Sequence, residues 1–166
     1  SFIERYVFKR TMATNTQSTD ARLREALEEA GLRFTGQRAA VYGFLAETTS
    51  HPNADEVFQA VRSRVPGISL ATVYKSLETL VGCGLALKLT YSDGSARYDA
   101  RTEPHHHARC LGCGRVMDVP GHLETEQLQA LMEGVDEFSV SGYRLELTGY
   151  CSRCGRPSRN QETLSG

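Results

Sequence analysis

The sequence predicts an α+β chain in two parts: a run of helices closed by a β-hairpin, then a smaller mixed half tied together by cysteines. Three observations carry this reading. Apolar residues recur at helical spacing up to about residue 81 and then alternate with polar ones from Leu85 onward. Asp93-Gly94 lies between two short alternating stretches, the mark of a hairpin turn. Two Cys-x-x-Cys pairs, Cys110/Cys113 and Cys151/Cys154, stand in the second half with 37 residues between them. Four thiolates are the ligand set of a closed, tetrahedral structural zinc site.

Composition narrows the possibilities. A chain of 166 residues is one large domain or two small ones. It is 40% hydrophobic, with no apolar run near the roughly 20 residues needed to cross a bilayer. Ser1 to Arg10 is apolar but broken by charges and lacks a signal-peptide core, so the expected location is cytoplasmic, with Met12 a more natural start. Four of the five cysteines fall in the two pairs, which fits reduced, metal-binding thiolates better than a secreted disulfide framework. Cys83 stands apart and reads as a buried free thiol. The net charge of −1 argues against indiscriminate binding of polyanions. Residues 1–90 carry 11 Lys/Arg against 9 Asp/Glu, and residues 91–166 carry 8 against 11, so any nucleic-acid role belongs to the first half.

The first half reads element by element. Residues 14–20 are polar, with Asp20 the N-cap of a helix over 21–30 that Gly31 ends. Thr35 caps a second helix with Ala39, Val41, Tyr42, Phe44 and Leu45 on its apolar face. His51-Pro52-Asn53 breaks that helix, and Asn53 starts a third through Val57, Phe58 and Val61. Pro66-Gly67 turns the chain, and Ser69 caps a fourth helix containing Val73, Leu77, Leu80 and Val81, closed by Gly82 and Gly84. Leu85, Leu87 and Leu89 then alternate as a strand, Tyr91 to Ser95 turns, and Ala96 to Asp99 returns. This order is that of a winged helix, in which the Ser69 helix enters the major groove and the hairpin is the wing. Its outer side offers Thr72, Tyr74, Lys75 and Ser76, suited to phosphates and base edges. An ordinary amphipathic helix has the same pattern.

The second half opens on Pro104-His105-His106-His107-Ala108-Arg109-Cys110, three histidines just upstream of the first cysteine pair. Imidazole is a harder ligand than thiolate and suits a different ion. Arg115 to Val119 reads as a strand ended by Pro120-Gly121, followed by a helix over 122–134 with Leu123, Leu128, Leu131 and Met132 as its stripe. Phe138 to Leu147 alternates again. So few elements make a small core, which zinc and pairing with a second copy would reinforce.

Together these segments resemble the ferric uptake regulator (Fur) superfamily of metal-dependent bacterial repressors. The resemblance rests on residues 32–38, 51–57 and 68–77 and on the His/Cys cluster with its downstream pair, in that order and spacing. It implies a flexible extension at 1–19, a winged-helix DNA-binding domain over 20–99, a hinge at 100–104, a dimerisation and metal-binding domain over 105–155 and a disordered tail at 156–166. It implies a homodimer bound to double-stranded operator DNA, not an enzyme, with Arg38, Ser69, Thr72, Tyr74 and Lys75 at the DNA. Structural Zn²⁺ falls on Cys110, Cys113, Cys151 and Cys154. A regulatory Fe²⁺ or Mn²⁺ falls on His51, Asp99, His105, His107 and Asp118, a mixed N/O set that suits those ions. His105 and His107, two apart on a strand, share a face and His106 points away. Pro104, His106 and Tyr143 stand where some members carry ligands of a further site, which counts against that site here.

Asp at both 99 and 118 looks like the peroxide-responsive branch, in which a ligating histidine, His51 or His105 here, is oxidised. Zinc-uptake regulators usually bring a cysteine from the wing, and residues 95–99 hold none. An iron- or manganese-uptake regulator is the alternative. A small metallohydrolase leaves the winged helix unexplained and has no base placed by any motif. A zinc-ribbon module without DNA binding is the remaining non-enzyme reading.

Overall fold

The structure, a computed structural model, describes residues 16–91, 93–135, 137, 143 and 145–155. The expected tail from 156, most of the expected N-terminal extension, and Phe138 and Val140 lie outside the described residues. The chain forms two compact units, one up to Thr102 and one from Glu103.

The first unit holds helices α1 (Thr16–Glu29), α2 (Gly36–Glu47), α3 (Ala54–Val61) and α4 (Leu70–Gly82), then strands β1 (Leu87–Thr90) and β2 (Ala96–Asp99). Three helix starts follow from single side chains. Thr35 accepts from the Arg38 amide, Ser69 accepts from the Thr72 amide, and Asn53 exchanges hydrogen bonds with Glu56 in a full capping box. Asp20, expected as the first cap, instead lies inside α1, which begins four residues earlier; Leu23 and Leu27 still form its buried face. Gly31 ends that helix with φ +67, a left-handed turn that glycine adopts without strain. Gly84 does the same after α4, whereas Gly82 is the last helical residue rather than a stop.

The helices close on one core of Leu23, Leu27, Val41, Leu45, Val57, Val61, Val73, Leu77 and Leu80. Leu77 is fully buried at the centre of α4. Leu77→Ala is expected to cost about 2–5 kcal/mol, read as a lower denaturation midpoint of this unit. Leu85 and Ala86 are both buried and precede the strand, so the alternation expected from Leu85 begins at Leu87. Cys83, expected to be buried, is half-buried and free.

β1 and β2 pair antiparallel, with Leu87 opposite Asp99 and Thr90 opposite Ala96. The wing is pinned to α4 by one carboxylate. Glu78 Oε1 accepts from Lys88 Nζ at 2.7 Å and from the Tyr98 hydroxyl at 2.9 Å. The hydrogen bond from Lys88 holds the Glu78 carboxyl below its usual range, and burial pushes the Tyr98 phenol up.

The second unit is a three-stranded sheet of β3 (His106–Cys110), β4 (Val116–Val119) and β5 (Glu146–Gly149), with one short helix, α5 (Thr125–Leu131). β3 is central, antiparallel to β4 and parallel to β5. The helix expected over 122–134 is only seven residues long. Its intended stripe is poorly covered, with Leu131 75% exposed. Among the described residues, no helix is long and apolar enough to cross a membrane.

Candidate metal centre

The cysteines lie at the ends of two strands. Cys110 closes β3 and Cys151 stands two residues beyond β5; each opens a tight turn through Cys113 or Cys154 that ends on glycine. Gly114 and Gly155 sit at φ +68 and +64, and their amides return to the carbonyls of Cys110 and Cys151 at 2.8 and 3.0 Å. Parallel pairing of β3 with β5, Cys110 opposite Gly149, brings the two knuckles together. One sulfur from each cysteine lies within 4.8 Å of the other three. Cys113 Sγ and Cys151 Sγ are 3.8 Å apart, close to the edge of about 3.8 Å that a tetrahedron with Zn–S bonds of about 2.3 Å requires. Gly112 is needed for this approach, because a Cβ there would stand 2.9 Å from Cys154 Cβ.

The Cys110, Cys151 and Cys154 thiols differ in acidity. The Cys110 thiol is pulled down to about 6, chiefly by the Cys151 amide, which donates to its sulfur at 3.3 Å, and then by the Cys113 amide. Cys151 is also lowered, first by the Cys154 amide. Cys154 is pushed up to about 12 by hydrogen bonding with the Cys113 and then the Cys151 sulfur. A cluster that stabilises thiolate at two sulfurs and crowds a proton onto a third is suited to a cation. The donor set fits a closed metal site.

The histidine and aspartate candidates form one group in each unit. In the first, His51 lies between α2 and α3, buried, with its Nε2 3.2 Å from Asp99 Oδ2 at the end of β2. Its backbone has φ +49, the only positive φ of a non-glycine among the described residues. In the second, β3 and β4 place His107 opposite Asp118. His105 Nε2 and His107 Nε2 lie 3.4 and 3.9 Å from Asp118 Oδ1, and the two rings meet edge-on at 4.4 Å.

His105 Nδ1 lies 2.7 Å from the Glu103 carbonyl, which can only accept, so Nδ1 carries the hydrogen. A neutral His105 then turns the Nε2 lone pair toward the Asp118 carboxylate. Two acceptors so placed require a proton or a cation between them, and this backbone hydrogen bond is the kind that orients metal-bound histidines. The donors of each group fit a metal ion. His106, on the other strand face, is 3.0 Å from the Tyr143 hydroxyl through Nε2. That phenol also accepts weakly from the Leu123 amide at 3.4 Å.

The expected DNA-facing residues divide in character. Tyr74 is 45% exposed and Lys75 is exposed, both on the outer face of α4. Thr72 is half-buried, and its hydroxyl is 2.9 Å from the capping Ser69 hydroxyl. Ser76, expected on the outer face, is buried and donates to the Thr72 carbonyl at 2.8 Å. Helical rotation of 100° per residue puts it beside Val73 and Leu77, where a small hydroxyl can satisfy itself on the preceding turn. Arg38 extends its guanidinium to the Arg33 carbonyl. Sequence reading missed Arg97, whose guanidinium reaches the His51 carbonyl and the Glu56 carboxylate. No motif marks it.

A winged helix followed by a cysteine-knuckled sheet, with paired histidines and carboxylates in both units, defines a two-unit metal-binding protein of winged-helix type. Comparison with known sequences narrows the class: the profile of the Ferric uptake regulator family matches residues 29–148. The chain is 42% identical over 134 residues to the peroxide operon regulator of Bacillus subtilis, covering 80% of this chain and 90% of that one. It is 36% identical over 146 residues to the peroxide-responsive repressor PerR of Staphylococcus epidermidis, covering 86% and 97%. The chain belongs to the ferric uptake regulator family. Among solved structures, the Vibrio cholerae ferric uptake regulator superposes with a TM-score of 0.64 at 27% identity, covering 78% of this chain and 98% of that one. The Helicobacter pylori ferric uptake regulator shares the fold with a TM-score of 0.72 at 24% identity, covering 89% and 97%.

Proposed function

We propose that this protein is a metal-dependent transcriptional repressor that senses hydrogen peroxide. Its active form is a homodimer on operator DNA. Zn²⁺ is held by Cys110, Cys113, Cys151 and Cys154 and stabilises the second unit. Fe²⁺ or Mn²⁺ is held by His51 and Asp99 from the first unit with His105, His107 and Asp118 from the second, so one ion ties the units together. The observation that carries this reading is that each unit independently pairs imidazole nitrogens with a carboxylate at 3.2–3.9 Å, in a family whose members at 42% and 36% identity are named a peroxide operon regulator and a peroxide-responsive repressor.

An ion bridging the two groups binds only the arrangement in which they meet. It therefore shifts the population toward that arrangement by its differential affinity. DNA affinity then follows occupancy of the site. Fe²⁺ held by these residues would supply the redox chemistry that opens the O–O bond of hydrogen peroxide, the electron it lends returning to it as the ring is oxidised. Overall one oxygen atom would enter the His51 or His105 ring, the C–H becoming C–OH, and the other would leave as water. The oxidised ring is a poorer donor, and the units uncouple.

A second reading is control of metal uptake by metal concentration alone. It is supported by a zinc-bound manganese uptake regulator that superposes with a TM-score of 0.64 at 29% identity. The same donors serve either reading, and peroxide separates them.

DNA recognition is assigned to α4. Tyr74 packs against a thymine methyl or a sugar, while Lys75, Arg38 and the Ser69 and Thr72 hydroxyls contact phosphate or base edges. Tyr74→Ala is expected to weaken operator binding about tenfold and to leave binding to random duplex nearly unchanged, in line with the ~1–3 kcal/mol of one base contact. Arg38→Ala is expected to weaken both and to reduce the salt dependence. Fluorescence anisotropy with Mn²⁺-loaded protein reads both. Equal, metal-independent binding to any duplex overturns the repressor reading.

A further inference from the structure

We infer that Arg97 is a positioning residue for the metal-binding histidine of the first unit: it locks the left-handed backbone of His51 from the same strand that supplies Asp99. The inference rests on the regulatory site proposed above and adds to it a residue that no motif marks.

The His51 backbone is strained. His51 has φ +49, although Pro52 follows it. The pyrrolidine ring drives a preceding residue toward extended backbone with negative φ, so local preference opposes the observed conformation twice. Such a residue persists only where its surroundings over-determine it.

Three consecutive residues are clamped here. The Arg97 guanidinium donates through Nη1 to the His51 carbonyl at 2.9 Å. The Tyr98 amide donates to the Pro52 carbonyl at 3.0 Å. Asn53 is fixed by its capping box, whose Glu56 carboxylate also accepts from Arg97 at 3.1 Å. The Arg97 side chain is 14% exposed and Glu56 is 53% exposed, so the guanidinium is held from the protein side rather than by solvent.

The placement on β2 gives the clamp its purpose. Arg97 and Asp99 are two apart on one strand and lie on the same face. The strand therefore fixes the His51 carbonyl with one residue and meets His51 Nε2, at 3.2 Å, with the other. Release of the carbonyl lets the backbone relax to negative φ and swings the ring away from Asp99. Lysine is an incomplete substitute: both bonds leave the single Nη1 atom, whose two hydrogens are fixed in the guanidinium plane, whereas an ammonium on a flexible stem fixes neither direction.

The test is Mn²⁺ titration of the zinc-loaded full chain, read by the electron paramagnetic resonance of free Mn²⁺, for the wild type, R97M, R97K, H51A and R97M/H51A. Loss of residues that orient ligands typically weakens metal affinity about 10–100-fold, and R97M is expected in that range, with R97K between it and the wild type. In the H51A background R97M is expected to add less than about threefold, since its effect passes through His51. Zinc content is expected to stay at the wild-type value. R97M binding Mn²⁺ like the wild type, or losing affinity equally with and without His51, overturns the inference. If R97M does not fold, R97K and R97K/H51A decide by the same criterion. If H51A itself leaves Mn²⁺ affinity unchanged, the regulatory site is wrong and this inference falls with it; if H51A weakens binding and the Arg97 variants do not, only this inference falls.

Discussion

Cys110→Ser is expected to leave the chain with less than one zinc per protomer and without a stable second unit. The reason is the small apolar interior of that unit. Among its described residues only Val116 and two of the candidate ligands, Cys110 and Cys151, are buried apolar groups, while Leu111, Leu131, Val135, Leu147 and Tyr150 are exposed. So few buried apolar groups among the described residues leave much of the chain entropy of ordering them to be offset by other interactions. A structural zinc is worth about 10–16 kcal/mol in small domains at neutral pH, enough to decide whether this unit folds. Serine supplies no thiolate, and loss of one ligand also opens the site to water. Atomic emission for zinc and light scattering for size read the result, with monomer or aggregate expected. Cys83→Ser, outside the cluster and half-buried, is expected to change neither. Acid acts in the same direction. Each thiolate must release the ion to take up a proton, so zinc affinity is expected to fall as pH falls. Full zinc and a stable dimer in Cys110→Ser would refute the assignment.

Much of this architecture was legible because it is local. Thr35, Asn53 and Ser69 each cap a helix through an amide three residues on, a relation visible in sequence. The hairpin around Asp93-Gly94 is local in the same sense: Gly94 takes φ +77 and Asp93 accepts from the Ser95 amide at 2.9 Å. What failed was also local, but marginal. Asp20 is a good cap residue, yet the polar residues before it continue α1. Ser76 read as outward-facing because hydroxyls usually are, and the backbone carbonyl that satisfies it cannot be seen in a residue pattern. The short α5 has few apolar anchors, so periodicity over-extended it.

The candidate metal ligands were legible for a different reason. Cys and His are scarce and chemically specific, so their spacing carries information that Leu or Ala does not. The parallel pairing of β3 with β5, which joins knuckles 37 residues apart, has no local signal. Neither does the clamp on His51. Arg97 is 46 residues away from it in the chain and resembles any surface arginine until β2 is laid beside the α2–α3 loop.

A single pulse of hydrogen peroxide on anaerobic, Fe²⁺-loaded protein is expected to add one oxygen atom to the peptides carrying His51 or His105. Repression should be lost with the same dose dependence. The histidines are the expected targets, because an oxidant generated at an ion they hold would react with them before it diffuses. Each of these rings is close to a carboxylate within its own unit, His51 to Asp99 at 3.2 Å and His105 to Asp118 at 3.4 Å. The thiolates lie in a separate cluster, where a bound zinc would lower their nucleophilicity. Mn²⁺ gives up an electron far less readily than Fe²⁺, so Mn²⁺-loaded protein should bind operator equally well and survive the pulse. Peptide mass spectrometry reads the gain of about 16 daltons, which is one oxygen on the oxidation ladder, and the Mn²⁺ sample is its control. Unmodified histidines beside oxidised cysteines and released zinc would make this a thiol switch. DNA binding that tracks only metal concentration, with no residue oxidised, would make it an uptake regulator. Oxidation at His51 but not in Arg97→Met would further tie the strained loop to the chemistry, because a ring swung away from Asp99 no longer holds the iron beside it.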